Sequence, residues 1–191
     1  MRVGILALQG AVGEHADAFT RLGASPVPVR RADQLDDLDA IVLPGGESTT
    51  MSMLLESSEL FDPLQKRLED GLPALGTCAG MILLASDVLD GRSDQRNFGV
   101  IDIGVRRNAW GRQVDSFEAD LHVTAIDGPA FPAVFIRAPR VERVGDGVDV
   151  LAAIDDEPVL CRSGSVVVAS FHPELSGDLR IHQLFLEGVD A

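Results

Sequence analysis

Residues 76–80 read Gly-Thr-Cys-Ala-Gly, between the apolar stretches Leu72-Pro73-Ala74-Leu75 and Met81-Ile82-Leu83-Leu84-Ala85. A G-x-C-x-G run joining a short strand to a helix has the pattern of a nucleophile elbow, with cysteine in the place of serine. Such a turn has to be sharp enough to lift one side chain above a sheet. Glycines two positions to either side remove the Cβ atoms that would collide there. A thiol at the start of a helix also sits beside unpaired N–H groups and the positive end of the helix dipole, which favour the thiolate. Cys78 is therefore the expected nucleophile, and acyl transfer the chemistry it would serve.

A thiol nucleophile needs a base that is itself held by a third group. Of the four histidines, His172 follows the apolar run 166–169, with Glu174 two residues on and Pro173 stiffening the link. That spacing lets the carboxylate hold one ring nitrogen and fix the tautomer while the other nitrogen faces the thiol. His15 and His182, on the expected first and last helices, are expected to be exposed or capping, and His122 half-buried on a strand. No Cys/His spacing resembles a zinc site, so no metal is expected, and Cys161 is expected in the core. Attack on an amide creates an oxyanion that needs preorganised donors. The first is expected from the backbone N–H of Ala79, directly after the nucleophile. The second is expected from Pro44-Gly45-Gly46-Glu47-Ser48, where paired glycines let N–H groups turn toward a ligand. Alone, that Gly-Gly pair suits a phosphate cradle or a plain turn equally well; Cys78 gives it meaning.

The elements that must position these residues alternate. Residues 2–8 read as a buried strand, then a helix over 13–23, strands over 27–30 and 40–43, helices over 49–56 and 60–70, and the strand and helix around Cys78. Alternating buried strands and helices predict a parallel sheet covered on both faces. After residue 98 the texture changes. Segments 100–105, 114–123, 134–136, 150–154, 159–160 and 166–170 are short and rich in β-branched residues, separated by turn signals such as those at 108–111 and 127–129. These predict antiparallel hairpins and sheet additions. A last helix is expected over 178–188. The expected fold class is thus α/β: three layers, a mostly parallel central sheet with helices on both faces, and antiparallel additions in the C-terminal half. In open sheets of this kind ligands bind beyond the carboxyl ends of the strands. The segments at 9–10, 44–48, 76–80 and 170–174 should converge there.

At 191 residues the chain is expected to form one domain with a substantial core. A formal charge of −14 argues against nucleic acid or an anionic membrane as the main partner, although Arg30-Arg31 and Arg106-Arg107 are local basic clusters. The N-terminus begins like a core strand rather than a secretion signal, and no apolar run approaches the roughly 18 residues of a membrane span. With two cysteines outside any disulfide-dense scaffold, a soluble, cytoplasmic protein is expected.

The constellation resembles the class I glutamine amidotransferases, with a Cys-His-Glu triad in that chain order. It is more similar still to their branch of glutaminase subunits of pyridoxal 5′-phosphate synthase. The resemblance is carried by residues 4–12 with Glu14-His15, by Leu43-Pro44-Gly45-Gly46-Glu47-Ser48-Thr49-Thr50, by residues 76–85, by the Arg107-Asn108-Ala109-Trp110-Gly111-Arg112-Gln113 block running on to Glu118, by Phe135-Ile136-Arg137-Ala138-Pro139, and by Phe171-His172-Pro173-Glu174-Leu175. It implies that Cys78, His172 and Glu174 form the triad, that Gly46 and Ala79 flank the oxyanion, and that Gly46, Glu47, Ser48, Arg107, Ile136 and Arg137 contact L-glutamine. An arginine suits an α-carboxylate, and carboxylate or carbonyl oxygens suit an α-ammonium. One departure is Gly13, where the family commonly has arginine.

The resemblance implies hydrolysis of glutamine to glutamate and ammonia with no cofactor, and a protein partner. Ammonia released into water protonates and loses its nucleophilicity, and no second active site is visible in the chain. The partner implied is a (β/α)8-barrel synthase subunit that builds pyridoxal 5′-phosphate from ribose 5-phosphate and glyceraldehyde 3-phosphate. Other readings are an amidotransferase subunit serving a different synthase, a cysteine hydrolase of esters or peptides, and a non-catalytic regulator that kept the fold.

Overall fold

The structure, a computed structural model, describes residues 1–92, 94–107 and 116–189. Its centre is a seven-stranded sheet. The contributing strands are β1 (Arg2–Leu6), β2 (Ser25–Val29), β3 (Ala40–Leu43), β4 (Ala74–Thr77), β10 (Asp149–Ile154), β11 (Glu157–Ser163) and β12 (Val166–Ala169), in the order β10-β11-β12-β4-β3-β1-β2. The pairs from β12 through β2 are parallel, while β10-β11 and β11-β12 are antiparallel.

The parallel strands are apolar throughout because both of their faces are covered. Along β3 the pleat sends Ala40 and Val42 into one core and Ile41 and Leu43 into the other. One core packs beneath α2 (Ser48–Ser57), α3 (Phe61–Glu69) and α4 (Ala79–Leu84), through Met51, Leu55, Leu64 and Met81. The other packs beneath α1 (Val12–Arg21) and α5 (Arg180–Val189), through Phe19, Ile181 and Phe185. Three layers result, as the alternation of elements predicts.

The smaller sheets depart from the sequence expectation in detail. The helix after Cys78 is only six residues long and runs straight into β5 (Ala85–Val88), which pairs in parallel with β6 (Ile101–Arg106). β6 in turn pairs antiparallel with β9 (Arg140–Val144). Neither β5 nor β9 is anticipated from the sequence: the apolar run 81–85 does not announce its change of period, and Arg140 and Arg143 mask a strand. β7 (Phe117–Leu121) and β8 (Phe131–Phe135) form a separate antiparallel hairpin ladder. The turn expected at 108–111 and the start of the strand expected at 114 fall among residues 108–115, outside the described residues. Among the described residues no helix is long and apolar enough to cross a membrane.

β1 has β2 on one side and β3 on the other, so the chain leaves the carboxyl ends of β1 and β3 in opposite directions. A crevice opens at that reversal of strand order. The segments after β1, β3, β4 and β12 all meet at it.

Candidate active site

Cys78 sits between β4 and α4 with φ 49° and ψ −103°, a left-handed conformation that a side-chain-bearing residue adopts only when its surroundings impose it. The imposition is visible. The Cys78 N–H donates to the Ala169 carbonyl at 2.8 Å, tying the elbow to the end of β12. A Cβ on Gly76 would stand 2.7 Å from the Gly80 carbonyl group, and one on Gly80 would run into the Leu43 carbonyl oxygen. The two flanking glycines thus let the turn close on itself and on β3.

His172 follows β12, at the edge of a short 3-10 turn over Pro173–Leu175. Its backbone N–H donates to Val134 at 2.8 Å, and its Nδ1 lies 2.8 Å from Oε1 of Glu174, whose side chain has no solvent exposure. Burial opposes charge on the imidazole, but hydrogen bonds to Cys78 and Glu174 outweigh it and push His172 up to about 10. Burial likewise raises the Glu174 carboxyl, yet His172 and the neighbouring His15 together hold it below the usual range. The result is an imidazole held by a buried carboxylate and lining the same cavity as Cys78. Such a set can exchange a proton with the thiol and with a leaving group.

Gly45 permits this placement in a way the sequence does not announce. A Cβ there would meet Cε1 of the His172 ring first, with Nδ1 at 3.0 Å and Nε2 at 3.3 Å. The glycine pair after β3 therefore serves the imidazole as well as any ligand.

These groups face a cavity of about 290 Å³. That is the low end for a small-molecule site and suits a ligand of amino-acid size. Gly46, Glu47, Ser48, Arg107, Ile136 and Arg137 all line it with Cys78 and His172. Ala79 does not line it; it lies fully buried directly after the nucleophile, at the start of α4. The Sγ of Cys78 is 3.9 Å from the Ile136 carbonyl. Arg137 shares with Cys78 a positive φ, 46°, so two of the five non-glycine residues with positive φ among the described residues border the same cavity.

Two of the expected contact residues are already engaged. The Glu47 carboxylate accepts from Thr49 N at 3.1 Å and from Thr50 N at 2.7 Å, capping α2. Burial raises its pKa, but the Thr50 hydroxyl, donating at 2.8 Å, and these backbone bonds prevail and lower it overall. Arg107 donates through Nη1 to the Thr49 hydroxyl and, at 2.9 Å, to Gln95 Oε1, which fixes the guanidinium at the cavity wall. Sequence reasoning missed Gln95 and Thr49 as supports of Arg107. It also missed Gln9, whose Oε1 accepts from Glu47 N–H at 3.1 Å. Gln9 stands in the Leu-Gln-Gly stretch after β1, and that position was its only signal.

Three histidine assignments need correction. His15 and His182 are completely buried rather than exposed, because α1 and α5 pack their inner faces together beneath the sheet end. His122 is exposed, lying just past the end of β7. Cys161 is buried as expected; burial pushes its thiol up to about 12, and both cysteines are free.

A solved structure described as a glutamine amidotransferase superposes with a TM-score of 0.92 at 48% identity, covering 99% of each chain. The PurLQS structure from Thermotoga maritima superposes with a TM-score of 0.72 at 18% identity over 97% of each chain, a likeness of fold alone. The architecture is that of the class I glutamine amidotransferases. Among curated proteins, the chain is 59% identical over 188 residues to the pyridoxal 5′-phosphate synthase subunit PdxT of Frankia alni, covering 98% of this chain and 94% of that protein. It is 59% identical over 189 residues to the protein of the same name from Mycobacteroides abscessus, covering 99% and 97%. The chain belongs to the SNO glutamine amidotransferase family, whose model matches residues 5–191.

Proposed function

We infer that the protein is the glutaminase subunit of a pyridoxal 5′-phosphate synthase, a single domain over residues 1–191 that hydrolyses L-glutamine through Cys78, His172 and Glu174. The observation that carries this reading is the His172 ring held 2.8 Å from a buried carboxylate and lining, with the elbow cysteine, one amino-acid-sized cavity.

In the first half-reaction the Cys78 thiolate, facing a protonated His172, bonds through Sγ to the side-chain amide carbon of glutamine. The oxyanion is received by the N–H of Ala79 and by a donor at Gly46. The intermediate collapses as the C–N bond breaks, and His172 returns its proton to the leaving nitrogen to give ammonia and a glutamyl thioester. Water then gives a proton to His172 and a hydroxide equivalent to the thioester carbon, releasing glutamate and restoring the thiolate beside a protonated His172. Arg107 faces the α-carboxylate, and the carbonyl and carboxylate oxygens around Ile136 and Glu47 face the α-ammonium.

Free ammonia would protonate in bulk water, so a synthase subunit is expected over the cavity mouth, and the family resemblance supports a (β/α)8 barrel. Glycine-rich backbone at Gly45-Gly46 can reorient when it docks. Two free cysteines fit the reducing cytoplasm. The test is glutamate release by wild type and Cys78→Ala, with and without the cognate synthase. Release should be weak alone, strong in the complex, and absent in Cys78→Ala; an active Cys78→Ala complex refutes the mechanism.

A further inference from the structure

Behind Glu174 lies a buried polar chain that takes no part in the proposed proton transfers. His15 Nε2 is 3.4 Å from Glu174 Oε2, and His15 Nδ1 is 3.0 Å from Nε2 of His182. Both histidines have no solvent exposure. His182 stands edge-on to Phe19 with ring centroids 5.1 Å apart, and its Nδ1 has no hydrogen-bond partner among the described residues. Glu174 Oε2 has no hydrogen-bond partner among those residues, so the 3.4 Å approach of His15 Nε2 is a polar contact to a buried oxygen that is otherwise unsatisfied.

Only one arrangement of protons leaves no buried donor stranded. If His182 carries its proton on Nε2, it donates to His15 Nδ1, and His15 then carries its own proton on Nε2, facing the carboxylate. The unpartnered Nδ1 of His182 is in that case a bare lone pair. In the opposite arrangement His15 turns a lone pair toward an anionic oxygen, and His182 buries an unpaired N–H. Each of those faults is costly in a dry site. Thr77 Oγ1, also 3.4 Å from His15 Nε2, can accommodate either orientation and does not decide between them.

We propose that His15 and His182 are positioning residues: a neutral, directional imidazole pair that holds the far oxygen of Glu174, so that its near oxygen keeps the His172 ring aimed at Cys78. This rests on the glutaminase reading of the triad and adds two residues to it. The electrostatic surroundings agree. Burial lowers both histidines against the pull of Glu174. His15 also faces His172 and Glu14, and His182 faces His15.

His15→Leu removes the donor, and His15→Gln keeps an N–H where Nε2 stands. In the assembled complex, His15→Leu should lower kcat for glutamate release by roughly 10- to 100-fold, as expected when a buried charged group loses its one polar neighbour on that side, with KM for glutamine little changed. His15→Gln should recover most of the loss. Iodoacetamide alkylation of Cys78 at neutral pH should slow in His15→Leu and recover in His15→Gln. That readout needs no glutamine turnover: if the wild-type complex released no glutamate while the alkylation pattern held, the glutaminase reading would fail and the positioning role would stand. Nitrogen-resolved NMR of the wild-type imidazoles requires no variant to fold. It should find His15 and His182 neutral and protonated on Nε2 between about pH 5 and 8. A His15 proton on Nδ1, a titrating His15, wild-type kcat in His15→Leu, or a Gln variant as impaired as the Leu variant each overturns the proposal.

Discussion

Gly45→Ala perturbs the proposed triad without substituting any of its members. The backbone at Gly45 does not require glycine for its φ; the obstacle is space. A Cβ there would overlap Cε1 of His172 and sit 3.0 Å from Nδ1. Carbon atoms in good contact lie about 3.5–4.0 Å apart, so the ring has to retreat by about 1 Å. Its anchors do not retreat with it. Glu174 holds Nδ1 at 2.8 Å from inside the core, and Cys78 is fixed by its bond to Ala169. The displacement therefore opens one of the two contacts the proton transfer needs. A misplacement of about 1 Å costs on the order of 100-fold in rate, or about 2.7 kcal/mol in the barrier. Glutamate release by the Gly45→Ala complex should fall by about that factor. Thermal unfolding should show a modest loss, about 1–3 kcal/mol for overpacking. A variant within about twofold of wild type in kcat/KM would show that the ring tolerates displacement, and the geometric account of His172 would be wrong.

Arg107→Ala should raise KM for glutamine by roughly 10- to 100-fold while kcat changes little, because a charge-assisted bond to the ligand is lost and the thiol is untouched; steady-state kinetics in the complex decide it. Stability should peak near pH 6.5. Burial, with His15 adding to it, takes His182 down to about 3 from 6.5, so the unfolded chain alone binds that proton as pH falls through this window, at a cost of about 1.4 kcal/mol per unit. His172, raised to about 10, contributes stability that is complete below 6.5 and lost as pH rises through 10. Urea midpoints across pH test this, and a flat acid limb would contradict it. Cys161→Ala should retain activity, and in the native wild type Cys161 should resist iodoacetamide because burial keeps its thiol protonated.

Local chemistry made the elbow and the His172-Glu174 pair legible in the sequence. Gly76 faces Gly80 within one turn, although Gly80 also clears Leu43 of β3, and a His-Pro-Glu run keeps its carboxylate within reach of its own ring. Alternation of apolar strands with helices likewise exposed the central sheet. What stayed hidden depends on pieces far apart in the chain. Gly45 reads as a loop glycine until β12 brings His172 against it. His15 and His182 read as ordinary helix residues, being 167 positions apart, until α1 and α5 pack side by side. Gln95 reads as a polar loop residue until it meets Arg107. β9, with charged residues on its exposed face, gave no apolar run to find.

The central claim is that the acyl group of glutamine passes through the sulfur at residue 78. A glutamine-like chloroketone supplied to the complex tests it most directly, read by peptide mass spectrometry alongside residual glutamate release. The account predicts stoichiometric labelling of Cys78, slowed by glutamine and matched by loss of activity. Activity lost with the label on Cys161 or elsewhere, or activity surviving full labelling of Cys78, would contradict it.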